Sequence, residues 1–179
     1  MKWGKELNKE IDNNMYKTII EWGIPNVVGL KDRNIDFLFD SSKVSSIDKY
    51  YQDLKCEYND VKFCLYDFDN EKIIFSMDFC ESNKTILSLT GEKPHIRLEL
   101  LNVNDSKLRN KGIASYYLSK LQDYAMKNNM EFIKVKPCAN DKIFNNESDE
   151  NSLDQNELIE FYRRKSTKEM PIKIFECKK

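Results

Sequence analysis

The chain has 179 residues, enough for one domain with a buried core and too few for two full ones. Apolar residues make up 40% and charged residues 33%, which excludes a disordered or bilayer-embedded chain, and a formal net charge of -1 supplies no field to draw in nucleic acid or an acidic membrane. Residues 1–10 lack a signal-peptide core and no apolar run reaches the roughly 18 residues of a bilayer span, so a cytoplasmic protein is expected.

From Lys5 to Trp22 the apolar positions Leu7, Ile11, Met15, Ile19 and Trp22 recur every three or four residues, predicting an amphipathic helix that Gly23-Ile24-Pro25 ends. A second helix is predicted after Ser46 as its cap, carrying Ile47, Tyr50, Tyr51 and Leu54 on one side. The period then changes to two. Val61, Phe63 and Leu65 alternate with Lys62, Cys64 and Tyr66, Asp69-Asn70 turns the chain, and Lys72 to Phe79 runs back as an antiparallel hairpin. Thr85 to Leu89 reads as a further β-rich stretch before Thr90-Gly91. After Pro94, His95 to Val103 reads as a strand with Ile96, Leu98 and Leu100 on one face and Arg97, Glu99, Leu101 and Val103 on the other.

Helical spacing returns over Lys111 to Asn128, through Ile113, Tyr117, Leu118, Leu121, Tyr124 and Ala125, and Phe132 to Val135 follows as a strand. That order of strand, helix and strand predicts a parallel pair. Residues 138–156 are acidic and aperiodic and read as a loop insertion; Glu157 to Lys165 is a short helix and Pro171 to Phe175 the last strand. One domain over 1–179 is therefore expected, with 1–60 a helical amino-terminal part.

The five cysteines (Cys56, Cys64, Cys80, Cys138, Cys177) are odd in number and never spaced CxxC, and His95 is the single histidine, so no metal site is predicted and a serine triad has few candidates for its base. The five glycines (Gly4, Gly23, Gly29, Gly91, Gly112) cannot be arranged as GxxxxGK[ST] or GxGxxG, which excludes those two nucleotide-binding signatures. What remains is Arg109-Asn110-Lys111-Gly112-Ile113-Ala114, set between a strand and a helix. A helix N-terminus offers unpaired N–H groups and the positive end of the dipole to an anion, glycine lets phosphate approach the backbone, and Arg109 and Lys111 add charge.

This hexad, with the strand before it, the helix from it, the following strand and the Phe161-Tyr162 pair, resembles the GNAT superfamily of acyl-CoA-dependent N-acetyltransferases, whose signature is [RQ]xxGx[GA]. The resemblance spans roughly Ile73 to Phe175. It implies a mixed α/β sheet, splayed near the end of the Leu98–Val103 strand and flanked by helices. It implies direct transfer from acetyl-CoA to a primary amine on a small molecule or protein; a monomer or homodimer is expected, and the charge balance and hydropathy predict no nucleic-acid or membrane partner. Leu101 and Val103 would then contact pantetheine, Arg109 to Ala114 the pyrophosphate, and Asn140 the cofactor. Tyr162 is the candidate general acid. Glu99 is the candidate base, with His95 close along the strand, and Cys138 is read as a buried thiol rather than a nucleophile. The alternative is a non-catalytic acyl-CoA sensor or interaction module on the same fold.

Overall fold

The hairpin expected from the period-two residues forms the middle of a seven-stranded mixed sheet in a computed structural model of the chain, which describes residues 14–45, 47–139 and 149–175. Its strands are β1 (Ile35–Leu38), β2 (Lys55–Glu57), β3 (Asp60–Asp67), β4 (Lys72–Glu81), β5 (His95–Val103), β6 (Phe132–Val135) and β7 (Ile172–Ile174). They lie in the order β1-β3-β4-β5-β6-β7, with β2 on β3 beside β1. Pairing is antiparallel from β1 to β5 and parallel from β5 through β6 to β7, as the crossover through the intervening helix requires. The described helices are α1 (residues 14–22), α2 (Lys84–Thr90), α3 (Ile113–Lys127) and α4 (Gln155–Lys165).

The core forms where the apolar stripes of α1 and α3 meet the sheet. Val61, Phe63 and Leu65 of β3 share a face with Phe79, Met77 and Phe75 of β4, and Met15, Ile19 and Trp22 of α1 join them with Ile113, Tyr117, Leu118, Leu121 and Ala125 of α3. Tyr117 stacks on Phe75 with ring centroids 4.6 Å apart, and Trp22 lies over Phe79 at 6.0 Å. The hydroxyls of Tyr116 and Tyr117 donate to the carbonyls of Trp22 and Gly23, which ties the end of α1 to α3. On the opposite face lies a smaller cluster of Leu38, Tyr51, Leu54, Cys64 and Tyr66, with Val44, Ile47 and Ile73 packed against it.

Four expectations change. Leu7 and Ile11 of the first helix, and the proposed cap Ser46, lie outside the described residues. The part expected to be helical contains two strands, β1 and β2, and the second helix is reduced to one short turn, Lys49–Tyr51. β1 and β2 are short edge strands whose residues gain a partner only once β3 is in place, so their periodicity is too brief to read locally. Thr85 to Leu89 belongs to a helix, α2, because the Asn83 side chain accepts the amides of Thr85 and Ile86 and Gly91 closes the end at φ 68°. Finally, the faces of β5 are not those of a regular strand: Leu98 pairs with Phe79 but Leu100 pairs with Asp78, so Glu99 is an extra residue and the alternation inverts there. Ile96, Leu98, Leu101 and Val103 face the core, whereas Leu100 turns to the other side.

A polar network fixes the turn between β5 and α3. The Asp105 carboxylate accepts from Lys72 Nζ at 2.8 Å, Arg33 Nη1 at 3.2 Å and the Lys107 amide at 3.1 Å. Arg33 also lies 3.5 Å from the fully buried Asp67, which caps the β3–β4 turn through the amides of Asp69 and Asn70. Burial alone would raise the Asp105 carboxyl, but the bonds from Lys72 and Arg33 outweigh it and hold it below the usual carboxylate range. Such a group stabilises the fold above the unfolded value of 3.8 and ceases to do so as pH falls through its folded value. Asp105→Ala should therefore lose about 2 kcal/mol at neutral pH by urea denaturation, and the gap to the wild type should narrow in strongly acidic buffer.

Candidate functional site

The ladder between β5 and β6 stops at Leu98 and Val135, while β5 stays bonded to β4 as far as Val103. Beyond Val135 the chain leaves β5 through Lys136 to Ala139, so the sheet splays and a cleft of about 440 Å³ opens beside the free-standing part of the strand. Its walls are β5 from Leu98 to Val103, the segment Val135–Ala139, and Leu158, Phe161 and Tyr162 of α4. The pairing with β6 ends at Leu98, directly before the bulged Glu99, so the cleft edge begins at the bulge.

At one end the cleft reaches the N-terminus of α3, where Arg109, Asn110, Gly112, Ile113, Ala114 and Ser115 line it. Tyr116 is the first amide of the helix to bond back, to Gly112 O at 2.9 Å, so the amides of Ile113, Ala114 and Ser115 have no acceptor within the helix. Gly112 caps the helix at φ 90° with no side-chain cap, and Asn110 precedes it at φ 61°. A Cβ on Gly112 would meet nothing within 4 Å, so glycine is required here by the left-handed backbone, and the space in front of the helix end is open. Lys111 is exposed beside it. Arg109 is already engaged: Nε donates to Val103 O at 2.9 Å and Nη1 to Glu150 O at 2.8 Å. Glu150 and Asn151 also bond Ser106, at 3.3 Å each, so residues 149–152 form a strap beside the hexad.

No protein-family model and no curated protein matches this chain. Its chemistry must therefore be read from its own side chains.

Leu101 and Val103 both line the cleft, with Leu101 half-buried and Val103 buried against the core. Tyr162 lines it from α4, 6% exposed, with its ring 5.2 Å from Phe161. Burial pushes its hydroxyl above the ordinary phenol value, which makes it a weaker acid. Glu99 also lines the cleft; it is exposed and paired to Arg97 at 3.3 Å, and being the bulged residue it does not share the face of Val103.

His95 does not belong to this group. It sits at the far end of β5, six residues and about 20 Å of strand from Leu101, 4% exposed, stacked on Phe132 at 4.8 Å with Nδ1 2.8 Å from Lys93 O. It is a buried residue on the sheet face away from α1 and α3. Cys138 is half-buried on the cleft wall, and its only histidine candidate lies far along the strand. Asn140 lies outside the described residues. Among the described residues no three His, Cys, Asp or Glu side chains converge as a metal set, and no helix is long and apolar enough to cross a membrane.

Sequence reading missed Leu100, Asn151 and Ser152. Leu100 reaches the cleft rim where the bulge turns it, Asn151 and Ser152 where the strap folds back on the hexad; Asp78, outside the lining, pairs with Leu100 from β4. No local pattern marks any of them. Gly112→Ala should cost about 1 kcal/mol in denaturation, because alanine disfavours φ 90° although its methyl meets no atom.

Proposed function

We propose that the protein is an N-acetyltransferase that moves an acetyl group from acetyl-CoA to a primary amine by direct attack. The observation that carries this reading is the continuity of one cleft from the strand edge that β6 abandons to the open amide end of α3. An extended ligand bearing amides suits the first part, because an exposed strand edge binds by main-chain hydrogen bonds. A diphosphate suits the second, where the amides of Ile113 to Ser115 and the cation of Lys111 favour an anion. Coenzyme A joins both chemistries in one molecule, and a thioester at the β5 end would complete the resemblance drawn from the hexad.

In this reading Leu101 and Val103 bind the pantetheine arm, and Asn110 to Ala114 hold the pyrophosphate. Arg109 adds its charge by giving up the carbonyl of Glu150. Tyr162 protonates the departing thiolate. The acceptor is an amine on a small molecule or a protein. A metabolite made inside cells carries with it the expectation of a cytoplasmic protein.

Titration calorimetry with CoA tests the first half. Micromolar binding is expected, and Gly112→Glu should abolish it by putting a carboxylate into the anion site; no binding at millimolar CoA would leave only a scaffold. Thiol release with a panel of amines tests the second half. Tyr162→Phe should lower turnover about 100-fold with CoA affinity unchanged, and CoA binding without turnover on any amine would favour a sensor.

A further inference from the structure

The bulge at Glu99 pairs a cleft residue, Leu100, with a second carboxylate one strand away, Asp78, which does not itself line the cleft. Leu100, which lines the cleft, is turned by the bulge onto the face opposite the core and pairs there with Asp78 on β4. Neighbouring strands lie about 4.8 Å apart, so Asp78 stands roughly one strand spacing behind the open edge of β5.

The charged groups around it are committed elsewhere. From β3, Lys62 lies directly across from Asp78, but its Nζ is 2.5 Å from Asp53; Asp60 is held by Lys55 of β2, also at 2.5 Å. From β5, Arg97 contacts Glu99 at 3.3 Å and donates to Cys80 Sγ at 3.1 and 3.3 Å. None of these bonds goes to the Asp78 carboxylate, which is half-buried. Burial raises it to about 6; Asp60 and Glu99 push the same way, and Lys62 and Lys55 oppose without cancelling.

We propose that Asp78 is the proton acceptor for the amine, reached through water along the face of β5 that carries Leu100; this rests on the acetyltransferase reading. The ammonium gives one proton through water to the Asp78 carboxylate, which later passes it to solvent. The neutral nitrogen then forms the C–N bond as the C–S bond breaks, and the sulfur leaves with its electron pair and takes up the second nitrogen proton, relayed by Tyr162. Each bond and proton is accounted for with no further reactant. Glu99 is exposed and paired, so it serves the entrance rather than the transfer. A desolvated carboxylate also opposes folding once it ionises. Its stabilising, protonated form is fully present below the unfolded value of 3.8 and lost as pH rises through about 6.

The experiment compares the wild type, Asp78→Asn and Glu99→Gln. In kcat/KM against pH the wild type should show an acidic limb near 6. Asp78→Asn should lower kcat/KM about 100-fold, remove that limb and leave KM for acetyl-CoA unchanged, while Glu99→Gln keeps the limb. Its Tm should be at least that of the wild type in mildly alkaline buffer, which separates lost chemistry from lost folding. A limb that survives Asp78→Asn, or disappears with Glu99→Gln, overturns the assignment and leaves the transferase standing. Carbon-13 carboxyl titration of the CoA-bound protein gives a readout apart from turnover: Asp78 should titrate near 6, and a midpoint in the ordinary carboxylate range overturns the proposal. CoA binding with no turnover of any amine by the wild type overturns the transferase reading and this inference together.

Discussion

β5 is bonded to β4 through Val103 and to β6 only through Leu98, and the candidate site depends on that difference in length. A strand edge left without a neighbouring strand is normally a hazard, because its N–H and C=O groups invite pairing with other chains. Here the edge faces into a cleft walled by α4 and by the chain leaving β6. The bulge at Glu99 is the local device that allows this. It twists β5, ends the match with β6, and moves Leu100 to the side where Asp78 waits.

The end of the cleft at α3 is held by different forces. α3 is anchored by the burial of Ile113, Tyr117, Leu118, Leu121 and Ala125, which leaves its first turn free to stay uncapped by any side chain. The turn before it is held from behind by Asp105, whose bonds to Arg33 and Lys72 tie it to the strands and to the loop after α1. Leu108, 2% exposed, plugs the same turn into the core. The amides of Ile113 to Ser115 are thus pre-set before any anion arrives, which lowers the ordering cost of binding. Against this, the strap at residues 149–152 already uses Arg109, so an incoming phosphate has to compete with a main-chain carbonyl for the guanidinium.

Opposite faces of one sheet do unlike work. The face under α1 and α3 is packed with Phe63, Phe75, Phe79, Met77 and Ile96, each fully buried. The other face carries Lys55, Asp60, Lys62, Asp78, Arg97 and Glu99, an arrangement of ion pairs around the Asp78 carboxylate. Such a surface contributes little to stability, since partly exposed pairs are worth about 1 kcal/mol or less. Its value lies in the local field it sets for Asp78.

Where residues repeat with a strong period, sequence alone determined the outcome: the β3–β4 hairpin, β5, α3 and β6 all appear within a few residues of where alternation or helical spacing placed them. The uncapped helix start at residues 109–114 was equally legible, because an unpaired helix N-terminus after a left-handed glycine is a local property of backbone geometry. Only tertiary structure decided the rest. β1 and β2 depend on β3 for their hydrogen bonds, the bulge exists only as a mismatch between two strands, and His95 is buried by stacking on Phe132 from the neighbouring strand. Asp78 was invisible for the same reason. A carboxylate in an alternating strand looks solvated until its neighbours are known, and the bulge that sets it behind the cleft lies in a different strand.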